Sequence, residues 1–100
     1  MKKETYHIFF SNLSNPLKME IILNLMKKEK SVTEMSKELK LEQSKVSHAL
    51  TSLRCCNIVK VKQKGKKRIY FLNKDIITPI LKIIDKHAKI YCKKGCNCKK

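Results

Sequence analysis

Two groups of side chains in this sequence have the types and spacing to do chemistry, one of thiols and one of cations. Cys92, Cys96 and Cys98 lie within seven residues in YCKKGCNCKK, and Cys55 and Cys56 are adjacent in LRCCN. A tail of Lys, Gly and Asn offers no core in which to bury three cysteines, and thiolates select soft ions. The C-x3-C-x-C spacing differs from the paired C-x2-C of a structural zinc ribbon. A three-sulfur site for As(III), or a thiolate-rich site for Cd(II) or Pb(II), suits it better. The cations are Lys60, Lys62, Lys64, Lys66, Lys67 and Arg68, all within nine residues. Like charges crowded on an exposed tip repel, but a polyanion beside them converts that cost into counterion release.

The elements around these groups are legible in the hydrophobic period. Val59-Lys60-Val61-Lys62 alternates, Gln63-Lys64-Gly65-Lys66-Lys67 reads as a turn, and Arg68-Ile69-Tyr70-Phe71-Leu72 returns, which predicts a cationic β-hairpin. Upstream, Val32, Met35 and Leu39 share a helical face that opens on the start signal Ser31-x-x-Glu34. A second helix, EQSKVSHALTSLR, turns Val46, Ala49, Leu50 and Leu53 inward. Gln43, Ser44, Lys45, Ser47, His48, Thr51 and Ser52 are then left outward. Amide and hydroxyl groups on a short helix face suit base edges and phosphates in a major groove. Two short helices around a tight turn followed by a hairpin make a winged helix-turn-helix pattern, whose expected partner is double-stranded DNA.

Apolar helices flank this motif. Tyr6, Phe9, Phe10 and Leu13 share a face, and Asn15-Pro16 reads as a cap and first-turn proline. The helix that follows carries Ile21, Ile22, Leu25 and Met26 inward and ends in the charged run Lys27-Lys28-Glu29-Lys30. Near the other end Ile76, Ile77, Ile80, Leu81, Ile84, Ala88 and Tyr91 form a broad stripe, which Thr78-Pro79 is expected to bend or delay. One small domain cannot easily cover two such helices, so a homodimer through the first and last helices is expected.

Composition agrees. One hundred residues hold one domain and a modest core, expected at 1–91 with a Cys/Lys-rich tail at 92–100. The net charge of +16, from 24 basic and 8 acidic residues, favours nucleic acid over an anionic membrane surface as the partner. No apolar run approaches the roughly 20 residues of a membrane span, and MKKETYHIFF is too short in its apolar part for a signal peptide. A cytoplasmic protein with no membrane association is expected, its five cysteines free or metal-bound. With two glycines, no phosphate-cradling loop and no nucleophile-base pairing, an enzyme is not expected.

These residues resemble the ArsR/SmtB family of metal-responsive repressors. LSNPLKMEIILNLM at 13–26 is similar to the family's second-helix signature, SVTEMSKELKLEQSKVSHALTSLRCCNIV to its helix-turn-helix, and GKKRIYFL to its wing. The resemblance spans roughly residues 6–90 and implies a mainly α winged helix-turn-helix homodimer that leaves its operator when a metal or metalloid ion binds. Two residues depart from the pattern: Glu42 stands where the family has a Ser or Thr cap, and Asn57 replaces the usual glycine. The family's common thiolate site has no counterpart in Lys30-Ser31-Val32-Thr33-Glu34. Of its last-helix site only His87 remains, with Lys74, Ile76 and Ile90 at the other positions, so His87 is read as an interface histidine. Some relatives sense arsenite through C-terminal cysteines. Others sense cadmium or lead through a cysteine before the wing, which Cys56 matches, although Ser52 stands where its companion would be.

The resulting expectation is a DNA-binding repressor. Its DNA contacts are Gln43, Ser44, Lys45, Ser47, His48 and Thr51 on the helix and Lys62, Lys64, Lys66, Lys67 and Arg68 on the wing. Its ion ligands are Cys92, Cys96 and Cys98, with Cys56 or Cys55 joining them. Two alternatives stand beside it: a thiol redox sensor on the same scaffold, and an inducer-free basic DNA-binding protein.

Overall fold

Local signals set where each helix begins and ends. In the computed structural model, which describes residues 3–91, the order is α1 (Lys3–Ser14), α2 (Pro16–Lys27), α3 (Val32–Leu39), α4 (Gln43–Cys55), β1 (Val59–Lys64), β2 (Lys67–Leu72) and α5 (Lys74–Tyr91). Asn15 caps α2 by accepting from the Lys18 backbone N–H at 3.0 Å, with Pro16 in the first turn where its missing N–H is not needed. Ser31 and Glu34 form the reciprocal capping box on α3, at 3.3 and 2.9 Å. Lys40 then takes a left-handed φ of 57° and its N–H returns to the Ser36 carbonyl, so α4 can start three residues later. Glu42 gives α4 no side-chain cap, and Asn57 adopts φ 58°, the conformation that asparagine tolerates where glycine is usual.

The hairpin is tighter than its sequence implies. Strand pairing runs from Val59↔Leu72 to Lys64↔Lys67, so the turn is Gly65-Lys66 and not five residues. Gly65 at φ 61° supplies the positive φ that a two-residue turn requires. Lys30 adds a short third edge, exchanging backbone hydrogen bonds with Tyr70 at 3.1 and 2.8 Å. The core lies between α2, α3, α4, the hairpin and the start of α5, with Ile21, Ile22, Met35, Val46, Leu53, Ile58 and Ile77 sealed from solvent.

Two expectations need correction. Met26 is half-exposed and does not join Ile21, Ile22 and Leu25 in the core. Helix α5 begins ahead of Pro79: the Asn73 carbonyl accepts from the Ile76 and Ile77 N–H groups, which starts the helix before the proline can delay it. Pro79 is on the exposed side, where water can serve the carbonyl left without a donor. The stripe on residues 76–91 packs on its own chain only through Ile77 and Leu81, with Ile80 partly covered, and every residue from 82 to 91 is exposed. Of the α1 face, Phe9 and Leu13 pack against the core while Tyr6 and Phe10 remain outside.

Two polar knots fix the helices to one another. Lys30, 2 % exposed, donates its Nζ to the Asn24 backbone carbonyl and Oδ1, both at 3.0 Å, and pairs with Glu38 at 2.9 Å. It thereby ties α2, α3 and β2 together. Asn12, also buried, accepts from Ser52 Oγ at 2.8 Å and Lys18 Nζ at 2.9 Å through its Oδ1, and its Nδ2 donates to Cys56 Sγ at 3.1 Å. That knot joins α1 and α2 to the end of α4.

Candidate nucleic-acid interface

Burying Val46, Ala49, Leu50 and Leu53 against α2 and α3 leaves the opposite face of α4 in solvent. Gln43, Ser44, Lys45, Ser47, His48 and Thr51 all lie exposed on it, as the helical period requires. The Thr51 hydroxyl donates to the Ser47 carbonyl at 3.0 Å, which leaves its lone pairs and methyl group for a partner. Ser52 is corrected: it is only partly exposed and its hydroxyl belongs to the Asn12 knot, accepting from Lys18 Nζ at 3.0 Å. Beside α4, a groove of about 570 Å³ separates Thr51 and Arg54 from Val59 and Val61 of β1.

Directly paired residues of an antiparallel hairpin share a face. By the register, Val59, Val61, Gln63, Arg68, Tyr70 and Leu72 form the inner face, toward the core and the α4 groove. Lys60, Lys62, Lys64, Lys67, Ile69 and Phe71 form the outer one. The expected wing cations therefore divide. Arg68 is on the groove side, its guanidinium 5.8 Å from the Tyr70 ring, and Lys66 is at the tip. Lys62 and Lys64 are turned outward and held by one carboxylate, Glu29, at 2.9 and 3.1 Å. Hydrogen bonds from Lys62 and then Lys64 hold the Glu29 carboxyl below its ordinary pKa, so it stays charged opposite them. Residue type alone gave no sign of this pairing. Its one signal is an acid amid the lysines of Lys27-Lys28-Glu29-Lys30.

The expected ion ligands separate into two sets. Cys92, Cys96 and Cys98 lie outside the described residues. Cys55 is exposed and Cys56 half-buried at the end of α4, both thiols free. Among the described residues no three His, Cys, Asp or Glu side chains come together to hold a metal. Two thiols fall short of a three-sulfur set, so the described residues do not by themselves fit a soft ion. His87 is exposed on α5, its ring 5.1 Å from that of Tyr91. No described helix is long and apolar enough to cross a membrane.

Five helices with a two-stranded hairpin after α4 define a winged helix-turn-helix fold. Residues 15–61 match the family model described as bacterial regulatory protein, arsR family. A transcriptional repressor SmtB homolog of Synechocystis sp. is 28% identical over 81 residues, 81% of this chain and 61% of that protein, so the match spans less than two thirds of the relative's length. The crystal structure of NolR from Sinorhizobium fredii superposes with a TM-score of 0.73 at 28% identity, covering 88% of this chain and 85% of that one. A homodimeric winged helix-turn-helix DNA-binding domain from Mycobacterium bovis shares the fold at a TM-score of 0.81 with 14% identity, covering 96% and 89%. Over these segments the chain is similar to ArsR/SmtB-type winged helix-turn-helix regulators.

Proposed function

We propose that the protein is a cytoplasmic transcriptional repressor that binds a double-stranded DNA operator as a homodimer. The observation that carries this reading is the exposed polar face of α4 set beside a cationic hairpin in a chain of net charge +16. Helix α4 would enter the major groove, with Gln43, Ser44, Lys45, Ser47, His48 and Thr51 toward bases and phosphates. Lys66, Lys67 and Arg68 would hold the neighbouring phosphates. Two copies joined through α1 and α5 would present two α4 helices to grooves about 34 Å apart. The groove of about 420 Å³ that is lined by Phe10, Leu13, Met19, Ile80, Ile83 and Ile84 supports that pairing, as does the homodimeric relative from M. bovis.

Substitutions sort the two kinds of contact. Ser47→Ala or His48→Ala is expected to lower the preference for operator over random duplex by about 1–3 kcal/mol. Lys66→Ala, Lys67→Ala or Arg68→Ala is expected to weaken binding to every duplex and to flatten the plot of log K against log salt by about 0.9 per lost phosphate contact. Titration at several salt concentrations measures both. An unchanged slope in the wing variants argues against a phosphate clamp.

We further propose that a soft ion, As(III), Cd(II) or Pb(II), releases the operator by binding the thiolates of Cys92, Cys96 and Cys98, with Cys56 or Cys55 as an added ligand. Cys56 accepts from Asn12 of α1, so drawing its sulfur to an ion would loosen the seam between α1 and α4. A protein truncated after Tyr91 is expected to bind DNA as the full chain does and to lose all ion-driven release under reducing conditions. Release from the truncated protein would move the site off the tail, and release by oxidant alone would favour a thiol redox sensor.

A further inference from the structure

We propose that Glu29 is a positioning residue that keeps Lys62 and Lys64 off the duplex and so limits how many cations the wing brings to DNA. The inference rests on the DNA-binding reading above and concerns which charges that reading can use. Without Glu29 the outer face of the hairpin would present Lys60, Lys62, Lys64 and Lys67 with no counter-charge from its own strands. Glu29 divides its two oxygens between two of them, Oε1 on Lys62 and Oε2 on Lys64.

Its own place is fixed. The next residue, Lys30, is bonded to Tyr70 through both backbone groups, and its buried ammonium is anchored to Asn24 and Glu38. Glu29 therefore stands one residue along from a locked bridge, where pleating puts its side chain on the outer face of the sheet. Lys62 is further held over the Phe71 ring, 5.3 Å from its centre. An ammonium so placed must give up a tethered carboxylate before it gains a phosphate. The carboxylate competes at the high effective concentration of an intramolecular partner. Arg68 and Lys66 carry no such partner among the described ion pairs, and they sit on the groove side and at the tip.

The consequence is a cap on sequence-independent attraction. Phosphate contacts raise affinity for every duplex alike, whereas base contacts from α4 discriminate. Withholding two ammoniums thus favours the operator over random DNA.

The test measures log K against log salt for a random duplex and uses the wild type and four variants of the full chain. Glu29→Gln keeps the shape of a partly exposed side chain and removes its charge. It is expected to steepen the slope by up to about two units, so that the loss of affinity between 50 and 200 mM salt grows about tenfold. Lys62→Ala with Lys64→Ala is expected to leave the slope unchanged in the wild-type background and to cancel the gain in the Glu29→Gln background. Arg68→Ala is the reference and should flatten the slope. If the lysine pair already flattens the slope in the wild type, or Glu29→Gln leaves it unaltered while Arg68→Ala acts as expected, this inference alone is overturned. A wild-type protein with no salt-dependent duplex binding overturns the DNA reading, and this inference with it.

Discussion

Ile84→Lys is expected to sediment as a monomer and to lose operator affinity by about a hundredfold or more. Ile84 is 48 % exposed and Ile83 68 %, both facing a groove shared with Phe10 and Met19 that the described residues leave open. A surface this apolar on two helices is what a second copy would cover. Two-fold symmetry doubles the substitution, placing two unpaired ammoniums in one apolar seam, where each costs several kcal/mol. Once the copies separate, each α4 must find its half-site alone, and the 10²- to 10⁴-fold gain from linking two binding events disappears. The fold itself should survive, since Ile84 stands outside the core cluster. An Ile84→Lys protein that remains a dimer by sedimentation, or a wild-type protein that is monomeric at micromolar concentration, would refute this assembly.

Lys30→Ala is expected to lower stability by about 2–4 kcal/mol, because the Asn24 backbone carbonyl and side-chain oxygen each lose a buried partner at roughly 1–3 kcal/mol. Glu38 contributes less to that loss: its side chain is 48 % exposed and water can take over. An ordinary surface lysine such as Lys45 should change stability by no more than about 0.5 kcal/mol when made alanine. Urea denaturation compares the two, and equal midpoints would show that the Lys30 ammonium does not hold α2, α3 and β2 together. The Glu38 share also has a pH signature. Hydrogen bonds from Lys30 and then Asn24 depress its carboxyl pKa, so its contribution is complete above the ordinary value of 4.5 and fades as pH falls through the lowered one.

Much of the scaffold could be read from spacing. Ser31 with Glu34, Asn15 with Pro16, and the buried set Val46, Ala49, Leu50 and Leu53 each rest on a local rule that the tertiary fold had no reason to override. Lys30 was not legible. It closes a run of charge that reads as a solvated helix end, and only the edge pairing with Tyr70 turns its side chain inward. Asn12 and Ser52 escaped for a similar reason, since a hydroxyl on a polar helix face looks outward until α1 packs across it. The wing's cations were visible as a set, but not their division between two faces. A one-residue change in turn length reverses which residues face inward, and Gly65-Lys66 decided the register. The exposed length of α5 is a different case: its apolar stripe is plain in the sequence, and among the described residues nothing covers it.

The most direct test of a dimeric, sequence-reading regulator is selection of duplexes from a random pool by the full-length protein under reducing conditions, followed by titration of the selected and random duplexes at one salt concentration. The account predicts enriched sites with two-fold symmetry and half-sites about 10 base pairs apart, bound at least about 10³-fold more tightly than random duplex. Recovery of an unenriched pool, with selected and random duplexes bound alike, would contradict it.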